Sequence, residues 1–210
     1  NLNHRQLDLS LLSKAQEGAL ELDLESVDLT DVASSVGDRL RPQYEVKGVD
    51  LIVEGPSGLR VMADRDRLTQ AVMNVVGNAL THTPPGGSVS VRTSGHGAIC
   101  RLDVADTGAG LHPGQEEVIF DRFTRLDADT AGTGLGLNIA RTITRLHGGD
   151  LTAAKVLNKH SPEEKAPPAR LAAVVRFFLS SFAGFLIFVC LLVVLGTGLL
   201  ALFGISADGS

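Results

Sequence analysis

Between residues 64 and 85, Leu68, Ala71, Val72, Val75, Val76, Ala79 and Leu80 return every three or four positions. That spacing predicts a helix with one broad buried face. Asp64 stands where an N-cap would, and Pro84-Pro85-Gly86-Gly87 ends the pattern. A shorter helix is predicted over 5–17, with Leu7, Leu11, Leu12 and Ala15 on one side and Gly18 as its stop. Leu20, Leu22 and Leu24 alternate with Glu21, Asp23 and Glu25, the pattern of a half-buried strand. Asp28 or Thr30 caps a further helix with Val32, Val36 and Leu40 inward, expected to stop before Pro42. Strands are predicted over 49–53 and 59–62 around Pro56-Ser57-Gly58, and over 88–92 and 98–105 around Ser94-Gly95. Residues 111–131 hold no regular period beyond one helical turn near Val118 and read as a mobile loop. Leu135, Ile139, Ile143 and Leu146 mark another helix, closed by Gly148-Gly149 with His147 near its negative end, before a short strand over 151–156. Strands in succession, with helices enough for one face, give an α+β fold, a two-layer α/β sandwich. The pattern leaves the strand order open.

The character changes at Asn158. Residues 161–168 form a charged, proline-containing linker, and residues 177–207 contain no charged side chain. That run exceeds the roughly 20 apolar residues that cross a bilayer, so one C-terminal transmembrane helix is expected. Lys155, Lys159, Lys165, Arg170 and Arg176 precede it and no Lys or Arg follows, which puts the preceding domain in the cytoplasm at the inner membrane. A native anchor and a joined reading frame both account for the change. The expected organisation is a short helical piece (1–18), a domain (19–157), a linker (158–176) and the transmembrane helix (177–207).

Length and charge narrow the picture. The chain of 210 residues has room for one ordinary domain plus extras, and its net charge of −5 argues against nucleic acid as a partner. Cys100 and Cys190 lie in unlike surroundings, so neither a disulfide framework nor a zinc site is supported.

Candidate chemistry clusters in three places. Asn74 and Asn78 stack one turn apart on the long helix, each with several hydrogen-bonding groups to satisfy. Asp106-Thr107-Gly108-Ala109-Gly110 directly follows a predicted strand, and Gly132-Thr133-Gly134-Leu135-Gly136 directly precedes a predicted helix. A glycine-rich turn that opens a helix points free N–H groups and the positive dipole end at one place, a phosphate site in form.

In this order, with Phe120-Asp121-Arg122-Phe123 between the two glycine stretches, the chain resembles the ATP-binding catalytic domain of bacterial sensor histidine kinases. Those domains share a superfamily with gyrase and MutL. The resemblance covers residues 7–154. It rests on an N-box (residues 74–84), a first glycine box (106–110), an F-box (120–123) and a second glycine box (132–136). It implies a Bergerat-type fold, a mixed sheet with helices on one face, binding ATP and Mg2+. Residues 1–18 would then be the end of a dimerisation helix. The implied partners are a histidine-containing dimerisation domain and a response regulator, in a homodimeric, membrane-associated full-length protein.

The resemblance also implies roles. Asn78 would ligate magnesium through its amide oxygen, and Asn74 would hold a phosphate or a metal-bound water. Asp106 would accept a hydrogen bond from the adenine amino group, with Gly108 and Gly110 letting the backbone approach the base. Gly132, Thr133, Gly134, Leu135 and Gly136 would wrap the phosphates. His82 matches a common choice near the triphosphate, whereas Thr81 stands where many members carry a basic residue. Phe120 and Phe123 would anchor the loop over the nucleotide, and Arg122 and Arg125 could reach the phosphates. Superfamily members that hydrolyse ATP carry a glutamate base one turn before the metal-binding asparagine. Asn74 occupies that position and cannot act as a base. That favours transfer of the γ-phosphate to a histidine on another domain, because His4 lacks the acidic neighbour of a phosphoacceptor. A membrane-anchored nucleotide-binding protein or ATPase without phosphotransfer is the alternative.

Overall fold

The computed structural model describes residues 2–97, 99–125, 133–156 and 172–180. In chain order the elements are α1 (Leu2–Gln16), β1 (Glu25–Asp28), α2 (Leu29–Lys47), β2 (Asp50–Glu54), β3 (Arg60–Ala63), α3 (Arg65–His82), β4 (Ser88–His96), β5 (Ile99–Asp106), α4 (Gln115–Val118), α5 (Gly136–Leu146), β6 (Asp150–Val156) and β7 (Ala172–Ser180).

Five strands form a mixed sheet in the order β2-β4-β5-β7-β6. β2 runs parallel to β4 and the remaining pairs are antiparallel. Alternation decides which face is covered. Val89 and Val91 of β4 and Cys100, Leu102 and Val104 of β5 are buried, while their neighbours along each strand are half-buried or exposed. α2, α3 and α5 pack together over that buried face, and the apolar stripe of α3 lies within the core. The fold is α+β with helices against a mixed sheet.

α3 begins where its sequence says. Asp64 is the N-cap, its Oδ1 accepting the Arg67 N–H at 3.0 Å. The other end of α3 is held by Lys47, whose Nζ donates to the Leu80 and Thr81 carbonyls at 2.6 and 2.9 Å. A second tie comes from α5. The Asp64 N–H donates to His147 Nε2 at 2.9 Å, so the ring proton sits on Nδ1, which donates to the Ile143 carbonyl at 2.8 Å. His147 is therefore a half-buried staple between the end of α5 and the start of α3, more than a surface cap.

Several expectations need correction. Residues 20–24 form no strand; the strand begins only at Glu25, and Glu25–Asp28 pairs with β3. α2 does not stop before Pro42, which lies exposed inside it. Helix continues because Tyr44 is buried two residues later and Gly48, at φ +69°, closes the end with its N–H on the Glu45 carbonyl. β2 and β3 are not a hairpin: β2 joins the large sheet, and β3 pairs with β1 in a two-stranded one.

The largest correction concerns the C-terminal part. β6 is followed by a closing strand, β7, inserted between β5 and β6. Residues 172–176, expected as linker, and 177–180, expected as the start of a transmembrane helix, belong to it. Residues 177–179, Phe-Phe-Leu, are as apolar as the residues beyond, so hydropathy merged the end of the strand with them. The backbone register places Arg176 opposite Asp103 of β5. No described helix is long and apolar enough to cross a membrane, and residues 181–207 lie outside the described residues.

Candidate functional site

α3 presents Asn74, Asn78 and His82 at four-residue intervals along one side. At ~1.5 Å per residue they span about 12 Å. Asn74 and Asn78 are half-buried, and neither side chain makes a hydrogen bond among the described residues. Asn74 faces the start of α5: a Cβ added at Gly136 would lie 3.7 Å from its Cγ. Thr81 does not offer its hydroxyl to this side, because it donates to the Gly77 carbonyl at 2.9 Å.

The C-terminal end of α3 meets the end of β5. Asp106 is only 8% exposed, and its Oδ1 accepts the Gly108 N–H at 2.9 Å. Burial pushes its carboxyl above the usual carboxylate range, opposed in part by the Gly108 N–H and by nearby His82. Gly108 is packed so closely that an added Cβ would collide with the His82 carbonyl oxygen. Thr107 locks the same corner, donating its N–H to the Ser88 carbonyl at 3.0 Å and accepting the Ser88 N–H on Oγ1 at 2.9 Å. Asp106, Gly108 and His82 thus form one small cluster. Gly110 adopts φ +72° just beyond it.

The other cluster lies at the start of α5. Gly134 has φ +67°, and its carbonyl accepts the Phe123 N–H at 2.9 Å. An added Cβ there would sit 2.7 Å from the Phe123 carbonyl carbon. Phe123 itself has φ +63°, uncommon outside glycine, and its side chain is 63% exposed. Its anchorage is therefore through the backbone. Phe120, by contrast, is buried. Leu135 begins α5 without a side-chain cap. The N–H groups of Gly136, Leu137 and Asn138 meet no acceptor among the described residues. Free N–H groups at the positive end of a helix make a site for an anion. Arg122 and Arg125 are exposed beside this turn, and Gly132 lies outside the described residues.

The chain matches a known family and known structures. Residues 63–179 match the family described as histidine kinase-, DNA gyrase B-, and HSP90-like ATPase. The chain belongs to this ATPase family. Sensor histidine kinase RppB of Synechocystis sp. is 35% identical over 159 residues, covering 73% of this chain and 35% of that protein. The chain thus spans about a third of the length of such curated relatives. Among solved structures, the mycobacterial sensor histidine kinase MprB superposes with a TM-score of 0.62 at 29% identity, over 76% of this chain and 99% of that one. Full-length ShkA in complex with AMPPNP gives 0.67 at 27% identity, over 83% of this chain and 35% of that one. The domain is thus the catalytic, ATP-binding type found in sensor histidine kinases.

Magnesium is general to this ATPase family, and the residues present fit it in one way. No cluster of three His, Cys, Asp or Glu exists among the described residues, so a cage of protein ligands is not available there. A half-buried amide without an internal partner, Asn78, could give one hard oxygen, leaving phosphate and water to complete the shell. Sequence reasoning missed Asn138, Arg141 and His147. The first two are three apart, hence on one side of α5, a signal that was readable.

Proposed function

We propose that the chain is a kinase domain that delivers the γ-phosphate of ATP to a histidine on a dimerisation domain. The observation that carries this reading is the pairing of two clusters along α3. One, around Asp106, suits a purine amino group. The other, at the start of α5, suits phosphates. Asp106 would read the adenine, and Asn74 and the Gly134–Gly136 turn would hold the phosphates. Asn78 would ligate magnesium, which when bound neutralises phosphate charge. Asn74 in place of a glutamate leaves no base to activate water, consistent with transfer in preference to hydrolysis.

Incubated with labelled ATP and magnesium, the chain alone should acquire no acid-labile label. Added to a dimerisation domain that carries a phosphoacceptor histidine, it should transfer phosphate, and from there a response regulator would be served. Strong self-labelling would contradict this, and nucleotide binding with no transfer to any such domain would favour the alternative of a nucleotide-binding protein. Asn78→Ala should remove most of the magnesium dependence of ATP affinity, about 1–3 kcal/mol, while metal-free binding stays. Isothermal titrations with magnesium and with chelator separate the two, and an unchanged metal dependence would move the ligand elsewhere.

The membrane part of the reading rests on residues 181–207, which carry no charged side chain and exceed the length of a span. They would anchor the domain on the cytoplasmic face. Alkaline extraction should leave the chain with the membrane; release into the wash would remove the anchor from the account.

A further inference from the structure

α5 does more than start at the glycine turn; it also grips the segment that clasps that turn. Asn138 Nδ2 donates to the Phe120 carbonyl at 2.7 Å, and its Oδ1 is buried without a partner among the described residues. One turn on, the Arg141 guanidinium lies 4.5 Å from the centre of the Phe120 ring. Its Nη1 is 2.6 Å from Glu117 Oε2 and its Nε 3.3 Å from Asp150 Oδ1, an oxygen that also accepts from Arg145 Nε at 3.0 Å. The side chain of Arg141 is 13% exposed. Desolvation works against its charge, and the bonds to Glu117 and Asp150 outweigh that cost.

These contacts close a ring. Phe120 is fixed to α5 by Asn138 and Arg141. Three residues later, the Phe123 N–H holds the Gly134 carbonyl. Two residues after Gly134, α5 begins, and five further on stands Arg141 again. Turns overlap across the anchors, with the Asp121 N–H on the Val118 carbonyl at 3.0 Å and the Thr124 N–H on the Asp121 carbonyl at 3.3 Å. Moving Phe120 would therefore move Phe123, and with it the turn that aims N–H groups from the start of α5.

We propose that Arg141, with Asn138, is a positioning residue for phosphate binding, holding the Phe120–Phe123 segment so that the Thr133–Gly136 turn keeps its anion-receiving form. This rests on the nucleotide-site reading above. It accounts for a feature that packing alone does not: a desolvated cation where an apolar side chain would cover Phe120 as well.

The test separates the two ends of the nucleotide. ATP and adenosine are titrated into the wild-type chain and into the Arg141→Ala, Arg141→Lys and Glu117→Gln variants. Each is also digested with trypsin, read at Arg122 and Arg125, with and without ATP. Arg141→Ala should lower ATP affinity about tenfold and abolish ATP protection of the two arginines. Adenosine affinity should stay within about twofold. Arg141→Lys should recover part of the loss. Glu117→Gln, changing a carboxylate that is 73% exposed and so sparing the fold, should shift ATP in the same direction. Equal losses for ATP and adenosine, or unchanged ATP affinity and protection, would overturn the proposal. A wild-type chain that binds no ATP would overturn the nucleotide-site reading and the proposal with it.

Discussion

Asp106→Asn should weaken ATP binding by roughly 10–100-fold, the range for a hydrogen bond to a charged group, and at the same time raise the thermal midpoint of the nucleotide-free chain. Both effects come from one placement. The carboxylate is buried at the end of β5 with a single hydrogen bond, from Gly108. Burial raises its pKa above the ordinary value. A carboxyl with a raised folded-state pKa binds protons better folded than unfolded. Its contribution to stability therefore falls as pH rises from the unfolded value through the folded one, and the cost is complete at neutral pH. Asparagine removes the charge and keeps an oxygen for the Gly108 N–H. The gain in midpoint, a few degrees at most for one such group, should shrink as pH falls below the carboxylate range. Calorimetric titration and thermal scans at two pH values check it. Equal ATP affinity in the two proteins would remove Asp106 from the adenine-reading role, and a lower midpoint for the variant at neutral pH would contradict the cost assigned to its burial.

Gly134→Ala should cost on the order of 10–100-fold in ATP affinity, as loss of a residue that shapes a binding site does, without melting the fold. The new Cβ would lie 2.7 and 2.8 Å from the Phe123 carbonyl carbon and Cα, backbone atoms that cannot rotate away. The φ of +67° adds about 1 kcal/mol of strain for a residue with a Cβ. Relief requires breaking the Phe123–Gly134 hydrogen bond, which opens the turn ahead of α5. Adenosine should bind as before. Gly77→Ala is the control: it lies in α3 between the two asparagines, nothing comes within 4 Å of its added Cβ, and it should stabilise the helix by about 0.5–1 kcal/mol. ATP affinity preserved in Gly134→Ala would mean that the clasp is not part of the phosphate site.

Much of this was legible because helix signals are local. The Asp64 cap, the stripe from Leu68 to Leu80 and the break at Pro84 are all within one stretch, and α3 starts directly after the cap and ends at His82, just before the break. A glycine turn after β5 and another opening α5 were legible from motif order. Pairing was not. Whether β2 and β3 face each other depends on which edge each finds, and Thr30, whose hydroxyl lies 2.7 Å from that of Thr93, ties the start of α2 to β4, far away in sequence. Pro42 misled because burial of Tyr44 outweighs one lost backbone bond. β7 misled because an interior strand and the start of a membrane span share one composition. The roles of His147 and Arg141 were not legible, although the shared side of Asn138 and Arg141 was, because their partners, the Asp64 backbone and Phe120, are tertiary neighbours.

The central claim is that the two clusters along α3 are the two ends of one ATP site. Titration of ATP into the wild-type chain with magnesium, repeated with adenosine and with inorganic triphosphate, tests it most directly. The account predicts one-to-one ATP binding, tighter with magnesium than with chelator, and competed by either fragment. ATP binding that neither fragment displaces, or no binding at all, would contradict it.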